Sequence, residues 1–326
     1  MSILVTGGSG LIGSNTARLL AEQGREVVVY DLIPLSGLHV LNDVLDEIHL
    51  EIGNVMDLSH LLRVIKRWNV QGIIHCAALL GVPSNQRPIE ALQTNIIGTA
   101  NVLEAARILD LRRIIVFSSS SVMGPIEDLS TPSGEEKIRL PLSSIYSITK
   151  LACEQLAFTY RQLHKVDVLV LRPAGVFGPG AIRPLQPINQ VMHAVIGQEP
   201  IRYETGGDSE FEFTYVKDFA QGTIQAYDCL TPRHYLYNLS FGKKQKMSKV
   251  FDVLKNLFPH RAIEIGPGFW GGVLSKGEQT DTTYRIAQRP PQDITRARED
   301  FHFAPEWDLG RSIPDWLRWL KKGKYS

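Results

Sequence analysis

The chain has very little cysteine: three residues in 326, Cys76, Cys153 and Cys229, odd in number and far apart. They make neither a disulfide framework nor a zinc-ligand pattern, which fits a reducing compartment. An excess of charge of one sign is missing too. Thirty-five Lys and Arg stand against 34 Asp and Glu, a formal charge of +1, so electrostatics gives no reason to expect nucleic acid or an anionic membrane as partner. No apolar run approaches the roughly 18 residues of a membrane helix. Met1-Ser2 leads directly into the strand-like Ile3-Leu4-Val5 with no charged leader or cleavage site, so a soluble, cytoplasmic protein is the expectation. Repeats and low-complexity tracts are absent. What remains is a globular balance, 44% hydrophobic and 21% charged, in a length that suits one large or two modest domains.

What is present first is alternation. Short β-branched runs at Ile3–Thr6, Glu26–Asp31, Ile48–Ile52, Gly72–Cys76, Arg113–Ser118 and Val166–Leu171 are separated by amphipathic stretches near Leu11–Gln23, Asp57–Trp68, Pro88–Leu109 and Tyr146–His164. Nearly continuous apolar strands imply burial on both faces. With right-handed crossovers they predict an α/β fold, a Rossmann-type doubly wound parallel sheet with its crevice at the carboxyl ends of the strands. After Pro173 the texture becomes Pro- and Gly-rich and irregular. The reading is residues 1–173 as a dinucleotide-binding domain and 174–326 as a smaller substrate lobe interleaved with returning sheet elements. The Gly-rich segment 266–289 reads as a long loop, and a last helix is expected near Arg311–Lys322.

Thr6-Gly7-Gly8-Ser9-Gly10-Leu11-Ile12-Gly13 joins the first strand to the first helix. One glycine permits the tight turn, one admits a pyrophosphate to the backbone N–H groups of Gly10, Leu11 and Ile12, and Gly13 permits close helix–strand packing. The helix N-terminus adds a positive dipole end. Asp31 closes the second strand eighteen residues after Gly13. Its carboxylate suits the adenosine ribose hydroxyls and repels a 2′-phosphate, so NAD is expected over NADP.

Tyr146 and Lys150 stand four apart at the start of a helix and so share a face. An ammonium beside a phenol favours the phenolate. Tyr146 is therefore expected to take a proton from a substrate hydroxyl while hydride passes to the nicotinamide, whose ribose Lys150 also binds. Ser118-Ser119-Ser120-Ser121 end the fifth strand beside the crevice. A hydroxyl there complements Tyr146, and chemistry alone does not choose among the four. His75 reads as a strand-end residue packed near the cofactor, not as a base.

These features, with His75-Cys76-Ala77-Ala78, Asn95-Ile96-Ile97-Gly98-Thr99, Leu171-Arg172-Pro173, Phe213–Asp218 and Arg289-Pro290-Pro291-Gln292-Asp293, resemble the extended short-chain dehydrogenase/reductase family. Within it they are similar to the NAD-dependent epimerase/dehydratase group that includes UDP-galactose 4-epimerase. The resemblance spans nearly the whole chain. It implies Tyr146 as base, Lys150 as its partner, Ser119 as the assisting hydroxyl and Asn95 as the residue that arranges the lysine and a water. It implies Asn54 and Val55 against the adenine, and Cys76, Ala77, Ala78 and Pro173 along the cofactor. It implies a homodimer built on the helices Pro88–Leu109 and Tyr146–His164. Leu80, Ser120, Gly175, Arg183 and Arg289 are the expected substrate contacts.

Some positions depart from the sugar-nucleotide pattern. Phe211 stands where those members usually have Arg, and Gly175 where they often have Asn. Ser120 and Ser121 replace the acidic pair of the dehydratase branch, which argues against elimination of water. Loss of an Arg–diphosphate contact removes an interaction on the order of 1.5–3 kcal/mol, and Arg183 or Arg285 are the available substitutes. The expected function is NAD-dependent hydride transfer at a secondary hydroxyl or ketone of a sugar-like or polar small molecule. The alternatives are a nucleotide-sugar 4-epimerase and a catalytically silent NAD-binding sensor.

Overall fold

The computed structural model describes residues 2–32, 38–124, 128, 130–181, 186–197, 200–270 and 289–322, without the side chains of 38, 39 and 322. Its centre is a parallel sheet. The strands run β1 (Ser2–Thr6), β2 (Val27–Asp31), β3 (Ile48–Ile52), β4 (Val70–His75), β5 (Arg113–Phe117) and β6 (Val168–Pro173). In the second half follow β7 (Val176–Phe177), β8 (Ile201–Tyr203), β9 (Glu210–Glu212), β10 (Thr214–Tyr215), β11 (Leu236–Leu239), β12 (Lys244–Lys246) and β13 (Ile263–Ile265). The seven-stranded sheet has the order β11-β6-β5-β4-β1-β2-β3, every pair of it parallel. The short strands make three satellite pairs, β10 with β7, β12 with β9 and β13 with β8.

The β-branched runs form this sheet because both faces are covered. Ile3, Val5, Val27, Val29, Ile74, Ile115 and Leu169 point to one core, packed by the helices Leu11–Glu22 and Val216–Asp228. Leu4, Val28, Ile73, Ile114, Val116 and Val168 point to the other, packed by Leu58–Arg67, Gly98–Leu109 and Ile145–His164. A third core, around Phe177, Phe213, Met247, Phe251 and Trp316, belongs to the second half of the chain. Yet β11 from that half completes the sheet beside β6, with Asn238 opposite Arg172.

The stretch expected as one helix over Pro88–Leu109 is wound in three ways. Pro88–Ala91 is α-helical, Leu92–Ile97 is a π-helical turn, and Gly98–Leu109 is α-helical again. The last helix runs Leu309–Lys322 and tolerates Pro314 inside it. Of the Gly-rich segment 266–289, residues 271–288 lie outside the described residues. Among the described residues no helix is long and apolar enough to cross a membrane.

Candidate active site

The chain leaves β1 toward β2 on one side and β4 toward β5 on the other, so the carboxyl ends of β1 and β4 open a crevice. Gly7 lies there at φ +61°, and a Cβ on it would stand 2.5 Å from the amide nitrogen of Ala77. Only a glycine lets the first turn lie against Cys76–Ala78. A Cβ on Gly13 would stand 2.3 Å from the Gly7 carbonyl oxygen, which accounts for the helix packing so near the strand. Gly10 differs: it caps the helix Leu11–Glu22 without a side chain, and its Cβ direction meets only the Gly7 oxygen at 3.3 Å. That cradle, at the positive end of a twelve-residue helix whose first N–H groups have no intrahelical acceptor, has the chemistry of a pyrophosphate site.

Asp31 is bound to the same turn. Its Oδ2 accepts from the Ser9 amide at 3.0 Å and from the Ser9 hydroxyl at 2.5 Å, so this carboxylate and the glycine turn form one unit. Further along, the Asn54 Oδ1 accepts from the Met56 amide at 2.9 Å. Asn54 thus builds its own turn. Val55 is buried against Gly98, where a Cβ would stand 2.7 Å from its Cγ2.

On the other side of the crevice Ser144 caps the helix Ile145–His164 by accepting from the Ser147 amide at 3.1 Å. Tyr146 lies in the first turn and Lys150 one turn on. The Ser119 side chain faces Tyr146 and pulls its proton affinity down, and the Ser119 Oγ accepts from the Ser121 amide at 3.1 Å. The structure therefore pairs Ser119 with the phenol and leaves Ser118 to a different task. The Lys150 Nζ donates to the Phe117 carbonyl at 2.7 Å and lies 5.9 Å from the Tyr146 ring centroid.

One expectation changes here. Lys150 was to lower the proton affinity of the phenol, yet burial pushes Tyr146 up to about 12, against the Ser119 side chain, which pulls it down. The ammonium is held by a backbone carbonyl and is itself lowered by burial. Its presence alone does not make the phenol a base.

His75 bridges two hydroxyls, Thr6 Oγ1 at 2.7 Å from Nδ1 and Thr99 Oγ1 at 3.1 Å from Nε2. Burial pushes it down to about 3, with the Lys150 charge adding to this, so it is neutral and structural. Asn95 also takes a role the sequence did not indicate. Its Oδ1 accepts from the Leu79 amide at 2.7 Å, and its Nδ2 donates to the Leu79 carbonyl at 3.0 Å and to Thr149 Oγ1 at 2.9 Å. Its own carbonyl accepts from Thr99 Oγ1 at 2.6 Å and from Cys153 Sγ at 3.1 Å. Asn95 fastens the segment after β4 to the Tyr146 helix and makes no bond to Lys150, because the π-helical turn directs it toward Leu79.

Sequence reasoning missed the set beneath the site. Glu154, four residues after Lys150, is 1% exposed and accepts from the Ser118 hydroxyl at 2.5 Å and from the fully buried Arg172 at 2.6 and 2.8 Å. Arg172 also donates to the Glu135 carbonyl at 2.7 Å. The signal was a second four-residue step along the same helix face, ending in an acid.

On the substrate side Leu80 is 48% exposed, just before the short helix Gly81–Gln86. Ser120 is partly buried and opens the 3-10 turn Ser120–Met123. Pro173 ends β6. Gly175 is left-handed at φ +57°, and a Cβ there would stand 1.7 Å from the Glu212 carbonyl oxygen. No Asn fits at that position with this backbone. Phe211 packs on Phe213 with ring centroids 5.8 Å apart. Arg289 begins the segment that returns to the sheet, and Arg183 and Arg285 lie outside the described residues. A cavity of about 900 Å³ elsewhere, lined by Arg18, Lys217, Trp307 and Asp315, contains none of the expected site residues. Its cations are paired internally, Arg18 with Glu22 and Asp43, Lys217 with Asp315.

Comparison with known proteins agrees with this geometry. The sequence model of the NAD dependent epimerase/dehydratase family matches residues 3–238. A UDP-glucuronate 4-epimerase of Thermodesulfobacterium geofontis is 26% identical, over 98% of this chain and 96% of its own. Two solved structures cover 99% of this chain and 100% of theirs at 26% identity. One is MoeE5 in complex with UDP-glucuronic acid and NAD, at a TM-score of 0.79. The other is a partial consensus L-threonine 3-dehydrogenase, at 0.80.

Proposed function

The chain belongs to the NAD-dependent epimerase/dehydratase family, and on that premise we propose that it moves hydride between NAD and a secondary alcohol carbon of a sugar-like substrate, with Tyr146 as the proton acceptor. The observation that carries this reading is the placing of Ser119, Tyr146 and Lys150 together, with a glycine turn shaped for a pyrophosphate at the same crevice. Gly7, Gly10, Leu11, Ile12 and Gly13 would hold the phosphates, Asp31 the adenosine ribose, Asn54 and Val55 the adenine. Cys76, Ala77, Ala78, Pro173 and Lys150 would line the nicotinamide end. NAD, when bound, supplies the hydride acceptor and, in its oxidised form, a positive charge that lowers the proton affinity of a neighbouring phenol. Ser119 then donates to the reacting substrate oxygen, and Tyr146 takes the proton as the O–H bond breaks. Lys150, one of whose three donors is held by the Phe117 carbonyl, would bind the nicotinamide ribose with another.

The second reading, a nucleotide-sugar 4-epimerase, is favoured by a relative of that name matching the full length and by the presence of Arg289. Phe211 and the sterically closed Gly175 oppose it, since neither can contact a diphosphate as Arg and Asn would. One experiment separates the two. The protein is incubated with NAD and UDP-glucuronic acid or UDP-glucose, with NADH absorbance and the proton spectrum of the sugar followed together. A 4-epimer formed without NADH establishes the second reading. NADH accumulation establishes net dehydrogenation. Neither product, with Tyr146→Phe indistinguishable from the parent on every alcohol tried, refutes hydride transfer.

We further propose a homodimer through the stretches Pro88–Leu109 and Ile145–His164, which expose Ile89 (65%), Ile97 (51%), Ile108 (46%), Ile148 (45%) and Leu163 (71%). Large apolar side chains left exposed along these stretches support an interaction surface there. Light scattering that reports a monomer, or a dimer unchanged by Ile108→Glu with Leu163→Glu, contradicts it. The free thiols of Cys76, Cys153 and Cys229 support a cytoplasmic location.

A further inference from the structure

Gly175, Phe211 and the segment that Arg289 begins meet around a side chain that the proposed chemistry does not use. Glu212 ends β9, partly buried. Its Oε1 accepts from the Ser240 hydroxyl at 2.6 Å and the Gly242 amide at 2.9 Å, and its Oε2 accepts from the Gln292 amide at 3.1 Å. Its carbonyl oxygen fills the space over Gly175, and the Gly175 carbonyl in turn accepts from the Thr214 amide at 3.1 Å. One residue thus joins the turn after β6, the turn after β11, the lobe strand β9 and the segment 289–293.

The same segment is fixed to the sheet side by other bonds. The Ser133 amide donates to the Pro291 carbonyl at 2.8 Å, the Asp293 amide to Ser133 at 2.9 Å, and Gln292 Nε2 to Asn238 Oδ1 at 3.1 Å. Through Ser133 and Glu135, whose Oε1 accepts from the Asn238 amide at 2.8 Å, these bonds run on to Arg172 and the base of the Tyr146 helix. Toward the lobe the connection is made by Glu212.

We propose that Glu212 is a positioning residue for substrate: its carboxylate holds the Arg289-bearing segment against the Gly175 turn and so sets substrate affinity without touching the reacting atoms. This rests on the reading in which Gly175 and Arg289 face the substrate. The carboxylate suits the task because it meets three donors, and an ionised carboxylate is an acceptor at both oxygens. Burial pushes Glu212 up to about 7, against the Ser240, Gln292 and Gly242 donors and, more weakly, Lys244 across on β12, all of which pull it down. Lys244 is also 3.5 Å from Glu210 on the same strand as Glu212. On the returning segment the charged groups are Arg289 and Asp293, and Asp293 Oδ1 is turned to Thr295 at 2.9 and 2.6 Å. Below neutrality the carboxyl carries a proton and one oxygen no longer accepts freely, so the hold weakens.

The test uses the full-length, NAD-loaded protein with Glu212→Gln and Glu212→Asp. With UDP-glucuronic acid or UDP-glucose as the probe, Glu212→Gln raises KM about tenfold with kcat within about twofold, because a buried amide replaces an acceptor facing a donor. Glu212→Asp keeps both acceptor oxygens and holds KM within about threefold. The affinity of the parent falls as pH drops through about 7, and the Gln variant is flat there. In hydrogen exchange the Gly242 and Gln292 amides lose protection in the Gln variant, while those of β1 and β4 do not. Unchanged KM, or a loss confined to kcat, overturns the proposal. Should the parent turn over neither sugar nucleotide, the nucleotide-sugar reading fails by itself. Exchange at Gln292 then decides on Glu212: lost protection supports the hold, unchanged protection refutes it.

Discussion

Replacing Arg172 by Met tests whether the buried charge pair fixes the catalytic helix. Arg172 and Glu154 are 0% and 1% exposed in their side chains. Arg172 supplies Glu154 with two of its bonds, at 2.6 and 2.8 Å, and the Glu135 carbonyl with a third, at 2.7 Å. In Arg172→Met the carboxylate keeps only the Ser118 hydroxyl and has no cation. Breaking a buried pair from one side costs about 3–5 kcal/mol, whereas replacing both members by apolar side chains is often close to neutral. With a chain of this size losing about 1.5 °C per kcal/mol, the single variant melts roughly 4–8 °C lower. Arg172→Met with Glu154→Met recovers at least half of that, despite stranding the Ser118 hydroxyl and the Glu135 carbonyl. Thermal and urea denaturation of the three proteins give the comparison. A loss under about 1 kcal/mol in the single variant, or a double variant less stable than the single, would refute the account. Since Glu154 follows Tyr146 and Lys150 at two four-residue steps, turnover of the single variant falls as well.

Tyr146→Phe keeps the ring and removes the proton acceptor, so kcat falls about 10²–10⁴-fold while NAD titration by fluorescence is unchanged; equal rates would discard the assigned base. Gly175→Ala forces a left-handed alanine, about 1–2 kcal/mol, before its Cβ meets the Glu212 carbonyl at 1.7 Å, so a total above about 2 kcal/mol is expected by denaturant titration. His75 is held near 3 in the fold against 6.5 when free. Between these values the unfolded chain binds a proton that the native chain does not, so stability falls as pH falls below 6.5. The loss is about 2 kcal/mol by pH 5, and it is absent above that window. His75→Gln lacks this term, so its stability deficit against the parent narrows from pH 7 to pH 5; a constant gap would show that His75 is not buried neutral.

The parts of this site legible in the sequence are those whose chemistry is local. Glycine spacing reports where Gly7, Gly10 and Gly13 let backbones approach, because the constraint lies within one turn. Tyr146 and Lys150 are legible because a helix repeats its face every four residues. The sheet was legible because strands such as Val27–Asp31 are apolar on both sides. The tasks of Asn95, Glu154 and Glu212 were not, since each depends on partners far along the chain: Leu79, Arg172 and Gln292. Gly175 read as a missing Asn, and only the Glu212 carbonyl above it shows why no side chain can stand there. The proton affinity of Tyr146 was misjudged for a related reason. The sequence places an ammonium nearby but says nothing of the depth of burial or of the Phe117 carbonyl that claims it.

The wide turn at Leu92–Ile97 holds about one residue more than an ordinary α turn would. Deleting one residue there would let the turn tighten to α pitch, so Gly98–Leu109 would keep its faces, with Val102, Leu103 and Ala106 still in the core. What would be lost is the aim of Asn95, whose side chain now joins Leu79 to Thr149. Such a deletion should therefore spare the packing and be felt where the segment after β4 meets the Tyr146 helix.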